Sequence, residues 1–265
     1  GKGRHGGTSQ FRLVVRNVIG SSVDTASQQI LIRRPSNPMF SAQALTVEMH
    51  EAVHKRQLDA VLRAAGQLAS LVSSSTCREE CDRNELRAVA LSGVKSCMPK
   101  TSPLLEHQAE MVGQVLADSV HDAAAMNAST IAVALSLTRD LVHRFQLGVF
   151  PRRAFVAVVD TLGNLMRGGT NPTSQLPNAR LFVSDVAELT LSAGLAGASQ
   201  LALGSSSIIT VGPSVRVMAS RINPLHSAHL PWPAFTEGGG VSLPAGAFDD
   251  GQALQVVVVE WKDEA

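Results

Sequence analysis

Apolar positions change their spacing twice along this chain. Near the start, the runs 11–15 and 30–33 are short, rich in Val, Ile and Leu, and read as strands. From about residue 43 to residue 166 apolar residues recur at three and four, the period of a buried helix face. From 180 to 261 short β-type runs return, most of them separated by Gly, Pro, Asn or Asp. Strands, then helices, then strands describe segregated layers and exclude the alternation of an α/β enzyme. The expected fold class is α+β (segregated), with a hairpin, a helical bundle and a β-sandwich in that order.

The first two runs flank Asn17 and Gly20, residues that supply turn conformations. They predict the last hairpin of an Ig-like sandwich. Pro35 and Pro38 then make a stiff linker. A long helix is expected over about 42–72, with Val47, His54, Leu58, Val61, Ala65, Leu68 and Val72 on its apolar stripe. A second helix starts near Asn84, taken as its cap, and ends at Pro99. The third begins at Ser102-Pro103, an N-cap followed by proline at the first helical position. Asn127 starts a fourth that Gly148 closes, and 152–166 gives one more. Short connections make neighbouring helices antiparallel. Beyond a Gly/Asn/Pro loop at 168–177, strands are expected at 181–183, 189–191, 208–211, 215–217, 241–243 and 254–259.

Composition narrows the partners. Lys+Arg number 23 and Asp+Glu 22, so the chain lacks the basic excess of a broad nucleic-acid footprint. Tyrosine is absent, aromatics make up 4% and hydrophobic residues 45%, which predicts a core of small aliphatic side chains. The apolar stretches 131–137 and 256–259 fall far short of the ~20 residues a spanning helix needs. The polar, Gly-rich start at 1–10 reads as a flexible lead or a cut end of something larger.

The three cysteines are Cys77, Cys81 and Cys97. Cys77 and Cys81 stand in a polar stretch expected to turn between helices. A following helix rising ~1.5 Å per residue carries Cys97 roughly 20 Å away, beyond the ~7 Å Cα separation a disulfide spans. A local Cys77–Cys81 bridge is the expectation, with Cys97 free or paired elsewhere. Three reduced thiols is the alternative.

One stretch carries the spacing of an enzyme. His50-Glu51-Ala52-Val53-His54 matches His-Glu-x-x-His, which on a helix sets two imidazoles one turn apart for zinc, with Glu51 as general base. Its surroundings are charged, with Glu48, Lys55 and Arg56, and no Gly-x-x-His extension follows, Gln57 standing at the Gly place. Glu79, Glu80 and Glu85 are the available third ligands. The competing reading makes His54 part of the packing stripe. Asn127-Ala128-Ser129 is a glycosylation sequon, and Asn127 is also a favoured helix cap; both roles are compatible at an exposed helix start. Asn171-Pro172-Thr173 carries the forbidden proline. Trp232 reads as a loop anchor, the glycines at 238–240 as a flexible loop, and Asp249-Asp250 as a solvated turn.

Three features together resemble a known arrangement: the Phe11, Asn17, Gly20 strand and turn, the Leu/Ala-rich helices, and late strands reading Val241-Ser242-Leu243-Pro244 and Val256-Val257-Val258-Val259-Glu260-Trp261. This resembles the receptor-for-egg-jelly and GAIN region of polycystin-like and adhesion-receptor-like surface proteins. The resemblance implies the tail of an Ig/PKD-like repeat over 1–35, a bundle like GAIN subdomain A over 40–168, and a sandwich like subdomain B over 178–265. It implies a non-catalytic extracellular structural and interaction module, a stiff spacer in a cell-surface or cilium-associated protein. It implies no cofactor and no catalytic residue. Its partners are then adjacent domains of the same polypeptide and protein partners or protomers, with no nucleic acid and no membrane span. GAIN domains end in a His-Leu-Thr or His-Leu-Ser cleavage triplet. Here His229-Leu230 is followed by Pro231, without the hydroxyl nucleophile, so self-cleavage within this stretch is not expected. The alternative function is a zinc-dependent metallopeptidase built on 50–54.

Overall fold

The computed structural model describes residues 8–11, 14–16, 22–24, 28–31, 38–73, 82–99, 102–148, 151–170, 179–212, 214–222, 229–231, 240–242 and 253–261. Four short strands come first: β1 (Thr8–Phe11), β2 (Val14–Arg16), β3 (Ser22–Asp24) and β4 (Gln28–Leu31). β1 pairs antiparallel with β4 and β2 with β3, so the pairing is nested like a single interrupted hairpin. The described residues form no Ig or PKD repeat around these pairs.

Among the described residues seven α-helices follow: α1 (Pro38–His54), α2 (Leu58–Ser73), α3 (Arg83–Cys97), α4 (Glu106–Val120), α5 (Ala128–Leu147), α6 (Arg152–Thr170) and α7 (Ala179–Ser199). The expected 42–72 helix is two helices. The break uses a Schellman motif: Gln57 N–H donates to the Ala52 carbonyl at 3.0 Å and Arg56 N–H to the Val53 carbonyl at 3.0 Å. Arg56 takes the left-handed position, with φ 54°. The proposed stripe is correspondingly split. Val61, Ala65, Leu68 and Val72 are buried on α2, whereas Val47 is 58% exposed and His54 is exposed on α1. α1 instead buries Ala42, Met49 and Ala52.

Two helix starts also differ from expectation. Asp82, not Asn84, caps α3, its carboxylate accepting from the Asn84 and Glu85 N–H groups at 2.9 and 3.1 Å. Asn84 makes cross-links: its amide donates to the Ala125 carbonyl at 3.2 Å and its Oδ1 accepts from the Asn127 N–H at 3.3 Å. α4 begins at Glu106, three residues beyond the Ser102-Pro103 pair, and the Leu105 N–H donates to Gln108 Oε1 at 3.2 Å. The Asn127 start and Gly148 end of α5 agree with the sequence reading.

The largest correction lies at α7. Both 181–183 and 189–191, expected as strands, are helical. Each triplet is too short to reveal a period by itself, but Val186, Leu189, Thr190, Ala193, Ala196 and Gly197 recur at helical spacing and are buried. α7 is also long and apolar enough to cross a membrane by length and composition, and 44% of that window is buried within the chain. It packs on α5, α6 and the sheet.

That sheet comprises β5 (Ile208–Val211), β6 (Val215–Ile222) and β9 (Leu254–Trp261), antiparallel in the order β5-β6-β9. β7 (His229–Pro231) and β8 (Gly240–Ser242) form a separate antiparallel pair. The α+β class therefore stands, with a predominantly helical body and a small sheet. The described residues form no β-sandwich. Sheet side chains alternate between two apolar faces. Ile208, Val215, Val217, Val257, Val259 and Trp261 join one core that runs through the helices from Ala42. Met218, Ile222, Leu254, Val256 and Val258 form a second cluster on the opposite face. The valine run of β9 thus supplies apolar contacts to both faces of the sheet and is half-buried along its length.

Candidate functional site

Among the described residues, the chemistry-bearing positions legible in the sequence do not converge. His50, Glu51 and His54 all lie on the exposed side of the last turns of α1. Glu51 is 3.5 Å from the Lys55 ammonium, a surface pair one helical turn long. Among the described residues, no third His, Cys, Asp or Glu joins them in a group able to hold a metal ion. Glu85, one of the three acids considered, is exposed in the first turn of α3. Glu79 and Glu80 lie outside the described residues, as do Cys77, Cys81, Trp232, Asp249 and Asp250.

Cys97 is a free, half-buried thiol at the end of α3. Its Sγ lies 3.9 Å from the Val53 carbonyl. Burial pushes the thiol pKa up, and the nearby Arg56 charge opposes that shift. Less thiolate means less nucleophile, so the setting is that of a packing cysteine.

Asn127 has the geometry for both expected roles. Its Oδ1 accepts from Thr130 N–H at 2.9 Å, the N-cap bond of α5, and from the Ser129 hydroxyl at 2.8 Å. Its Nδ2, the atom that would carry a glycan, donates to no described residue, and the side chain is exposed. Capping uses the oxygen and leaves the nitrogen available.

A fourth location was missed in the sequence. α4 and α6 pack side by side, and a cleft of about 470 Å³ opens between them. Gln114 and Asp118 come from α4, His121 from the position just after it, and Arg152, Arg153, Asp160 and Asn164 from α6. Asp160 and Asn164 are four residues apart on one helix, so their side chains share a face. The β5–β6 turn closes beside them: a Cβ on Gly212 would come within 2.9 Å of Asp160 Oδ1. Asp118 already accepts from Gln114 Nε2 at 2.8 Å. Asp160 has no hydrogen bond or ion pair among the described residues, and burial raises its carboxyl pKa above the ordinary value. Asn164 is only 6% exposed, and its amide also makes no hydrogen bond among the described residues. The legible signal was this polar pair interrupting the α6 stripe of Phe155, Val158, Val159 and Leu162, all buried.

A buried ionic group lies on α3. Arg87 is 2% exposed, and its Nε has no hydrogen-bond partner among the described residues. Burial lowers its pKa, partly offset by the Asp122 charge, with Arg83 reinforcing the lowering. Its burial beside Leu86, Ala90 and Leu91 makes it part of the α3 packing.

No family model, curated protein or solved structure matches the chain.

Proposed function

We propose that this chain is a non-catalytic extracellular structural and interaction module of a larger surface protein, as the GAIN-type resemblance implies. The observation that carries the reading is the single continuous core from Ala42 on α1 to Trp261 on β9. A helical layer and a sheet that share one core move as one body, which is what a stiff spacer requires. The far face of the sheet supplies an assembly surface. Ile209 and Val211 on edge strand β5 are 39% and 58% exposed beside the second apolar cluster. An adjoining domain or protomer would cover them at a polar-rimmed apolar patch of the usual kind. Asn127 Nδ2, exposed at the start of α5, fits a secreted glycoprotein.

The test is secretion of the full chain from a eukaryotic host. Intact mass is then measured with and without reductant and glycosidase, and zinc content by native mass spectrometry. A glycan on Asn127, a two-proton gain on reduction of Cys77–Cys81 and no bound zinc support the module. Three free thiols with one zinc lost on replacing His50 and His54 overturn it in favour of a metallopeptidase.

A further inference from the structure

We propose that the cleft between α4 and α6 binds an alkyl cation, an ammonium or guanidinium on an aliphatic stem, through the Asp160 carboxylate and the Asn164 amide. Three observations converge on this. The cleft, about 470 Å³, has room for a side-chain-sized ligand. Asp160 presents an acceptor that no described residue uses, and Asn164 presents a nine-tenths-buried amide with the same lack of partners. Neither group has a partner among the described residues and both line the cleft, so a ligand seated there is positioned to supply one. Ala117, Val156 and Ala157 line the cleft and offer apolar contact for the stem.

The charge of the ligand follows from Asp160. A carboxylate in this setting favours a donor and disfavours an anion, and charge-assisted hydrogen bonds are the stronger kind. Arg152 and Arg153 are exposed at the start of α6, at the rim of the same cleft, and burial is what raises the Asp160 pKa. The other titratable groups lining the cleft are Asp118 of α4 and His121 just after it, and the β5–β6 turn contributes Gly212, which carries no charge. A cation favours ionised Asp160, so binding releases a proton and tightens as pH rises through the pKa of the free cleft.

The experiment is amide and side-chain NMR of the full chain, titrated separately with n-butylammonium, n-butylguanidinium, n-butanol and butyrate. Saturable shifts at the Asn164 side-chain amide and along α4 and α6 are expected with one or both cations only, weaker at about pH 4 than at about pH 7. Asp160→Asn, nearly isosteric, should weaken binding by roughly tenfold or more. A blocked Ala-Lys-Ala peptide separates the sources: binding as tight as that of the free amine assigns the cleft to a protein side chain, and rejection of the peptide assigns it to a small amine. Saturable binding of butyrate in place of the cations, unchanged affinity in folded Asp160→Asn, or no saturable cation shift in the wild type would each overturn the proposal.

Discussion

Gly194 on α7 and Val257 on β9 meet with no space for a side chain between them: a Cβ on Gly194 would overlap the Val257 γ-methyl carbons. The contact sets how closely the last helix lies on the sheet, and it joins a buried row of Ala193, Gly194, Ala196 and Gly197. Gly194→Ala should gain about 0.5–1 kcal/mol of helix propensity. Overpacking should cost about 1–3 kcal/mol, so the net effect is a loss. Urea unfolding checks this, with Val257→Ala added to Gly194→Ala as the relief variant. The double variant should recover part of what the single one loses. A single variant as stable as the wild type would mean that α7 lies farther from β9.

The same row explains why α7 was misread as strands. Leu-Thr-Leu and Leu-Phe-Val carry β-type residues, and nothing at the scale of three residues separates a strand from one turn of helix. The decisive pattern is the small-residue face, whose meaning depends on a sheet lying against it. Longer elements were easier. α3, α5 and α6 have an apolar stripe sustained over several turns, and Asn127 and Gly148 bracket α5 with ordinary capping residues. Strands β5, β6 and β9 were legible from their valine and isoleucine runs, although their association as three strands and not a sandwich depends on tertiary pairing. The candidate site was the least legible part. Asp160 and Asn164 form an ordinary polar pair in the sequence, and only the packing of α4 and the β5–β6 turn around them makes that pair exceptional.

The α1–α2 break was invisible for a related reason. A helix commonly ends with glycine in the left-handed position, and here that position holds Arg56 at φ 54°. An L-residue with a Cβ pays about 1–2 kcal/mol there. Arg56→Gly should therefore stabilise the chain by roughly 1 kcal/mol or less, because glycine also loses more freedom on folding. The change is read from the urea midpoint at constant slope. A clear loss of stability would assign a favourable contact to the Arg56 side chain that outweighs its backbone strain.

Asn127 allows its two roles to be separated by substitution. Asn127→Asp retains the cap oxygen but removes the glycan acceptor, so unfolding should stay close to wild type while any glycan mass disappears. Asn127→Ala removes both and should lose about 0.5–2 kcal/mol. Ser129→Ala abolishes the sequon and leaves the bond to Thr130 N–H in place, so it should remove the glycan with little effect on stability. Intact mass from the secretion host and urea unfolding of unglycosylated protein provide the two readouts. A stability loss in Asn127→Asp as large as in Asn127→Ala would show that the cap bond contributes little.

Asp160 makes the stability of the fold itself depend on pH, with a sign opposite to that of a salt-bridged aspartate. Its folded-state pKa is raised by burial, so the native chain holds the proton more tightly than the unfolded chain does. Below the unfolded pKa both states are protonated and Asp160 contributes no penalty. As pH rises from there through the folded pKa, the unfolded state releases its proton first and stability falls. Above the folded pKa the penalty is constant. Asp160→Asn carries no titrating proton, so the difference in unfolding free energy between variant and wild type should shift in favour of the variant across that window and then level off. Urea unfolding at a series of pH values, compared between the two chains, measures the difference directly and cancels contributions from the other carboxylates. A parallel pair of pH profiles would mean that Asp160 is solvated in the native state; a difference that moves against the variant as pH rises would mean that its carboxylate has a cationic partner in the folded chain.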